Sequence, residues 1–212
     1  MATLTSYAEL VTQVNAWCHR SDMSAQVPVF LLTVEETLND ILRVREMIVR
    51  DVIVAPSADE AYEQLPTDFL ALHSIRFNTD PVVNPTPATA HFIEELRKRF
   101  MHAGGTPRHY CIVNNQILFE RIPTGSPELE ISSYVKIPAL NATTQTSNGI
   151  LERYPLLYLY GCLAEAHTFL DYDARLASFA GKFAAAIDTA NGATKDAEQS
   201  PGPLIARPKR WF

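Results

Sequence analysis

The chain has 212 residues, of which 47% are hydrophobic and 20% are charged, the composition of an ordinary soluble globular protein. Its formal net charge of −6 argues against a general electrostatic attraction to nucleic acid or to an anionic membrane. The opening MATLTSYAEL lacks the basic start and apolar run of a secretory signal, and three widely separated cysteines predict free thiols in a reducing cytoplasm.

Two helices are predicted at the start of the chain. Ser6 and Glu9 have the spacing of a capping box, and the apolar residues that follow recur every three or four positions. A second helix is predicted over VPVFLLTVEETLNDILRVREM, residues 27–47, with Pro28 in its first turn. Its apolar stripe leaves the polar residues, Glu35 and Asn39 among them, on the other side.

From residue 48 the pattern changes to strands. VRDVIVAP is β-branched, the stretch after LPTD alternates, and LEISSYVKIPAL predicts another strand. In YCIVNNQILFERIP, Asn114-Asn115 separates two apolar runs and predicts a tight hairpin, because asparagine tolerates a positive φ. PATAHFIEELRKRF predicts a short amphipathic helix that Gly104-Gly105 ends.

Helical patterns return in RYPLLYLYGCLAEAHTFLDYD. The segment has no charge from Pro155 to Ala164, but Glu165 interrupts it far short of the ~20 apolar residues that span a bilayer. We therefore expect a buried helix, on which Gly161 and Ala164 allow another helix to approach closely. A final helix follows, and the three prolines beyond Ala193 predict an extended tail.

Together these patterns predict an α+β, mainly α fold. Residues 1–47 and 150–192 are expected to form a helical bundle. Residues 48–149 form an inserted, small antiparallel β subdomain with one short helix, and residues 193–212 form an extended C-terminal tail.

The sequence contains no glycine-rich phosphate loop, no G-x-S-x-G elbow and no H-E-x-x-H motif. No cofactor and no metal site are predicted, and these absences favour a protein that is not an enzyme. One alternative stays open: a small cytoplasmic enzyme without a recognisable motif, using His167 with Asp171 and Asp173 as base and carboxylates.

The tail carries the residues most typical of a partner contact. Aromatic and arginine side chains dominate the binding energy of many interfaces, and here they lie on a proline-stiffened segment. The candidate docking residues are Leu204, Ile205, Arg207, Lys209, Arg210, Trp211 and Phe212. A host-directed binding protein that uses this C-terminal peptide is the second alternative.

The order of elements resembles that of head-to-tail adaptor (head-completion) proteins of tailed bacteriophages. Most specific is FLLTVEETLNDILRVREMIVR, with its L-N-x-x-L-R-V-R-E-M pattern. The resemblance continues through LPTDFLALHSIRF, PRHYCIVNNQILFERIP, YVKIPAL and RYPLLYLYGCLAEAHTFLDYDAR, and covers most of residues 3–190. The alanine-rich ASFAGKFAAAIDTANGAT departs from the family, whose last helix usually carries more arginine and polar residues.

The resemblance implies a virion structural protein at the head–tail junction, made in the host bacterial cytoplasm. Such adaptors commonly form a ring of twelve copies under the portal, extend the DNA channel and carry tail proteins. The implied partners are the portal protein, further copies of this chain, downstream tail or nozzle proteins, and passing double-stranded DNA in weak non-specific contact, with no membrane. An acidic chain suits a channel that must release DNA.

The resemblance also implies where subunits meet. The interface candidates are Tyr158, Gly161, Ala164, Glu165, Arg43, Arg45 and Glu46. For the last three, the alternative is that they pin the second helix to the β subdomain. The tail residues are the implied portal contact.

Overall fold

The computed structural model describes residues 4–54, 61–100, 103–125, 127–171 and 173–198. The chain divides into a helical unit, made of the residues up to Glu46 and from Ile137 onward, and a β-rich unit, Met47–Lys136. Helices and two sheets together confirm the predicted α+β, mainly α class. The second boundary lies at Lys136 rather than at residue 149, because the chain that follows is hydrogen-bonded to the second helix.

The helices are α1 (Tyr7–Cys18), α2 (Val27–Ile41), α3 (Ala90–Phe100), α4 (Gly149–Arg153), α5 (Pro155–Phe169) and α6 (Asp173–Glu198). All except α3 belong to the helical unit. The capping box predicted at the start of α1 is confirmed, because Ser6 Oγ accepts from the Glu9 N–H while the Glu9 carboxylate accepts from the Ser6 N–H.

Helix α2 is shorter than predicted. It ends at Ile41 rather than at residue 47, and Leu42 has extended backbone and a fully buried side chain. Asn191 of α6 then accepts a 2.8 Å hydrogen bond from the Arg43 N–H. Burial of Leu42 and this distant amide end the helix, and neither is visible in the local pattern.

Helix α5 is the centre of the helical unit. It contacts α1, α2, α4 and α6, and its buried residues are Leu157, Tyr158, Leu159, Gly161, Cys162, Leu163, Ala164, Ala166 and His167. The predicted buried helix is confirmed, and it faces the chain's own core. Among the described residues no helix is both long and apolar enough to span a membrane.

Three helices meet at Gly161. A Cβ atom built there would lie 2.8 and 2.9 Å from the methyl carbons of Val34 in α2 and 3.2 Å from the Phe183 ring in α6. Since carbon atoms do not approach to 2.8 Å without repulsion, the glycine is what allows α2 to pack this closely on α5.

Helix α6 is longer than predicted. It continues to Glu198, so residues 193–198, which the sequence assigned to the tail, are helical. Ala190 and Thr194 are buried one turn apart, which shows that this stretch is packed. The first proline after Ala193 is Pro201, so no residue before it breaks the helix.

The β-rich unit contains two sheets, ordered β1–β7–β3 and β2–β6–β5–β4. Their strands are β1 (Ile48–Val54), β2 (Tyr62–Gln64), β3 (Phe69–Phe77), β4 (Thr86–Pro87), β5 (His109–Val113), β6 (Gln116–Phe119) and β7 (Glu128–Val135). Both sheets contribute to one buried cluster of Leu65, Ile75, Phe77, Ile117, Phe119, Leu129 and Ile131.

The hairpin predicted at Asn114-Asn115 is confirmed, with Asn114 at a φ of 55° between β5 and β6. The second sheet is mixed rather than wholly antiparallel as predicted, because β4 pairs in parallel with β5. Helix α3 lies between these two strands in the chain and supplies the crossover that a parallel pair needs.

Replacing Gly161 by alanine is expected to lower the free energy of unfolding by about 1–3 kcal/mol, because the added methyl overlaps Val34. The matched control is Gly181→Ala in α6, where a Cβ atom meets nothing within 4 Å. That change should raise stability by about 0.5–1 kcal/mol, since alanine is the better helix former. Urea titration measures both, and equal effects of the two substitutions would contradict the packing described at Gly161.

Candidate functional site

A buried hydrogen-bond network joins α2 to the chain that returns from the β-rich unit. Glu35 Oε1 accepts from the Leu140 N–H at 2.8 Å and from the Tyr158 hydroxyl at 3.5 Å. One turn further along α2, Asn39 Oδ1 accepts from the Ile137 N–H at 2.9 Å. One face of α2 therefore fixes the position of the returning chain, and the expectation that Glu35 lies on a polar outer side is wrong.

Asn148 extends the same network to α4 and α5. Its Oδ1 accepts from the Leu151 N–H at 2.8 Å and so caps α4. Its amide nitrogen donates to the Pro138 carbonyl at 2.9 Å and to the Tyr158 hydroxyl at 2.8 Å. Every polar group of the Asn148 side chain is thus used inside the protein.

Burial sets the electrostatics of this network. The Glu35 side chain is 6% exposed, and burial raises the pKa of its carboxyl against the opposing effect of the Leu140 and Tyr158 hydrogen bonds. Burial also raises the pKa of Tyr158 and of the neighbouring Cys162 thiol. All three cysteines are free and buried.

The predicted interface residues of α5 lie mostly inside the chain. Tyr158 has no exposed surface, Ala164 is 8% exposed, and Gly161 is covered by α2 and α6. Small residues did indicate a close helix approach, but the approaching helices belong to the same chain. Glu165 is half-buried and is the most exposed of these four.

The charged candidates at the end of α2 contact other parts of the helical unit. The Arg43 guanidinium donates to two carbonyls at the end of α2, at 2.8 and 2.6 Å. Glu46 pairs with Arg45 at 3.0 Å and with Arg153 of α4 at 2.8 Å. A role for these residues between subunits stays a prediction. The tail candidates Leu204, Ile205, Arg207, Lys209, Arg210, Trp211 and Phe212 lie outside the described residues.

Two residues of the alternative enzyme hypothesis, His167 and Asp171, lie in different surroundings. His167 is 1% exposed and stacks on Phe179, with 5.1 Å between ring centroids and 4° between planes. Asp171 lies at the surface, and the side chain of Asp173 is outside the described part. No group of three or more metal-ligating side chains occurs among the described residues.

One surface feature was not predicted from the sequence. A groove of about 460 Å³, hereafter the α5–α6 groove, runs between these helices. Its lining is Arg153, Tyr154, Pro155, Leu156, Leu157, Tyr160, Lys182, Ala185, Ala186, Thr189 and Ala190. The alanines of α6 are the signal that could have revealed it, because their short side chains leave the space unfilled.

A second unpredicted feature lies in the β-rich unit. Glu130 of β7 accepts from Arg50 of β1 and from Arg76 of β3, both at 2.6 Å. These arginines, Arg50 first, lower the pKa of the Glu130 carboxyl. The three side chains cross all three strands of the first sheet and tie its two edges to its centre.

Comparison with known protein families matches residues 5–207 to the SU10 adaptor protein family. The chain belongs to this family of phage head-to-tail adaptors. The match runs through both units, from before α1 to beyond α6, and confirms the resemblance seen in the sequence. No curated protein gives a match.

Glu35→Ala is expected to lower the free energy of unfolding at neutral pH by about 1–3 kcal/mol, because it leaves the Leu140 N–H and the Tyr158 hydroxyl without an acceptor. Glu35→Gln keeps an acceptor oxygen and should cost less. Urea titration of both variants measures the difference, and equal losses would contradict the role given to the acceptor.

A comparison of wild type with Glu35→Gln tests the charge of Glu35. Because its folded pKa is raised, the folded state binds the proton more tightly than the unfolded state above the ordinary value of 4.5. That contribution is full below the unfolded pKa and is lost as pH rises through the folded pKa. Wild type should therefore lose stability relative to Glu35→Gln as pH rises from 4.5. A stability difference that stays constant with pH would contradict it.

Proposed function

We propose that the protein is a structural component of the phage virion that forms a ring of twelve copies beneath the portal. The ring extends the DNA channel and presents a platform for tail or nozzle proteins. The match of residues 5–207 to an adaptor family, across both units, is the observation that carries this proposal. The role is assembly rather than catalysis.

The construction of the helical unit supports such a role. Its buried network and its glycine contact hold α2, α5 and α6 in fixed relation, which suits a subunit that must repeat identically around a ring. The net charge of −6 gives passing DNA little to bind, and a conduit should not hold the genome by counterion release.

The tail is the proposed portal contact. Helix α6 is packed as far as Thr194 and ends at Glu198, so residues 199–212 are what the chain offers beyond it. The sequence predicts an extended tail there, and ordering an extended segment on the portal would cost conformational entropy, so one copy alone should bind modestly. Closing the ring links the copies and multiplies that modest affinity.

Deleting residues 199–212 is expected to weaken binding to the cognate portal ring by at least about tenfold, which is ~1.4 kcal/mol. The fold should be unchanged, because the deletion begins after α6 ends. Surface-immobilised portal measures the binding, and circular dichroism with a urea titration measures the fold. A deletion variant that binds with wild-type affinity would refute the tail contact.

Two double variants separate the aromatic from the charged contribution of the tail. Trp211→Ala with Phe212→Ala should accelerate dissociation, since aromatic anchors dominate interface energy. Lys209→Gln with Arg210→Gln should mainly slow association and reduce its salt dependence. Capture of a host protein, with no binding to portal, would favour the host-directed alternative instead.

A further inference from the structure

The α5–α6 groove is apolar with positive charge in its lining. Leu156 is 49% exposed at its wall, and the floor is built from alanines of α6. Its charged members are Lys182 and Arg153, and Arg153 already forms a 2.8 Å ion pair with Glu46. No carboxylate lines the groove among the described residues, so Lys182 supplies its positive charge. Such a surface accepts a partner with apolar side chains beside carboxylates.

Lys182 is already held at the groove. Its Nζ lies 5.2 Å from the ring centroid of Phe179 and 5.8 Å from that of Tyr160. These cation–π contacts keep the ammonium group beside the groove wall instead of extended into solvent. A carboxylate that arrives there meets a cation that needs little further ordering.

The outer face of α2 has the complementary character. Five exposed residues, hereafter the α2 stripe, follow one side of the helix: Val29, Leu32, Thr33, Glu36 and Asp40. Counted from Val29, the others lie three, four, seven and eleven positions further on, which places all five on one face of the helix. Val29 and Leu32 are 57% and 59% exposed, and the row then ends in two carboxylates with no cation.

We infer that the α5–α6 groove of one copy receives the α2 stripe of the next copy; this rests on the proposed ring. Val29 and Leu32 enter the apolar part, and Glu36 meets Lys182. Each Å² of apolar surface removed from water contributes about 25 cal/mol. The two surfaces are different patches of the same subunit, so the contact is head-to-tail and repeats around an axis until the ring closes.

The chain's own tail is a poorer occupant of the groove. It carries Arg207, Lys209 and Arg210 and no carboxylate side chain beyond Glu198. Placing these cations beside Lys182 would set like charges against each other. Charge therefore favours the acidic α2 stripe of another copy.

Cross-linking on the assembled complex tests the pairing. The full chain with Leu32→Cys and Ala186→Cys is bound to the cognate portal ring and treated with a short bismaleimide. Covalent multimers larger than dimers are expected, because each copy carries both partners. The control is Leu32→Cys with Ala184→Cys, since Ala184 is exposed on α6 but does not line the groove. This control variant should give only background cross-linking. The native cysteines are buried, so they should react little with the bismaleimide.

If the complex assembles but cysteines at positions 32 and 186 form no covalent multimers, the pairing is overturned. The adaptor function is then unaffected. Cross-links from position 186 to portal or to a tail protein would likewise overturn the pairing. If wild type forms no complex with portal, the proposed function fails and the pairing fails with it.

A charge swap supplies an independent measurement. Glu36→Lys alone and Lys182→Glu alone should each reduce ring assembly on the portal about tenfold, by placing like charges together. The double variant restores an opposite pair at every contact and should recover most of the assembly. If Glu36 or Lys182 had only a structural role, the second substitution would not restore assembly. A double variant that folds but does not recover ring assembly would overturn the pairing.

Discussion

The helical unit depends on two side chains of α2 that accept backbone N–H groups from the chain returning from the β-rich unit. A buried N–H without an acceptor costs about 1–3 kcal/mol, so Glu35 and Asn39 determine where the returning chain lies. Asn148 then begins α4 and orients Tyr158 of α5. Two parts of the unit that are far apart in sequence are thereby joined through polar contacts as well as through apolar packing.

Local patterns in the sequence predicted the elements well and the contacts between them poorly. The capping box at Ser6 and the turn at Asn114 need only neighbouring residues, so both were predictable. Periodicity placed Glu35 on the solvent side, and this prediction was wrong. Glu35 is buried as the acceptor for Leu140, which is more than a hundred residues away and cannot be identified from a local pattern. The early end of α2 likewise depends on Asn191 of α6.

For the candidate site too, local features were predictable from the sequence and contacts between distant elements were not. Small residues on α5 correctly indicated that a helix packs closely there, but sequence alone could not say whether it came from the same chain. The structure assigns Gly161 to packing against α2 and α6, which leaves other surfaces for contact between copies. The α5–α6 groove arises where the alanines of α6 face α5, a pairing that no local pattern reveals. The family, by contrast, was recognisable from the order of elements.

In the proposed assembly, the α5–α6 groove and the α2 stripe join copies while the tail binds the portal, so the portal controls when the ring forms. The most direct test is the solution mass of the wild-type protein by light scattering, alone and mixed with its cognate portal ring. We expect a small species alone and a stoichiometric ring complex with portal. No association at any mixing ratio would contradict it.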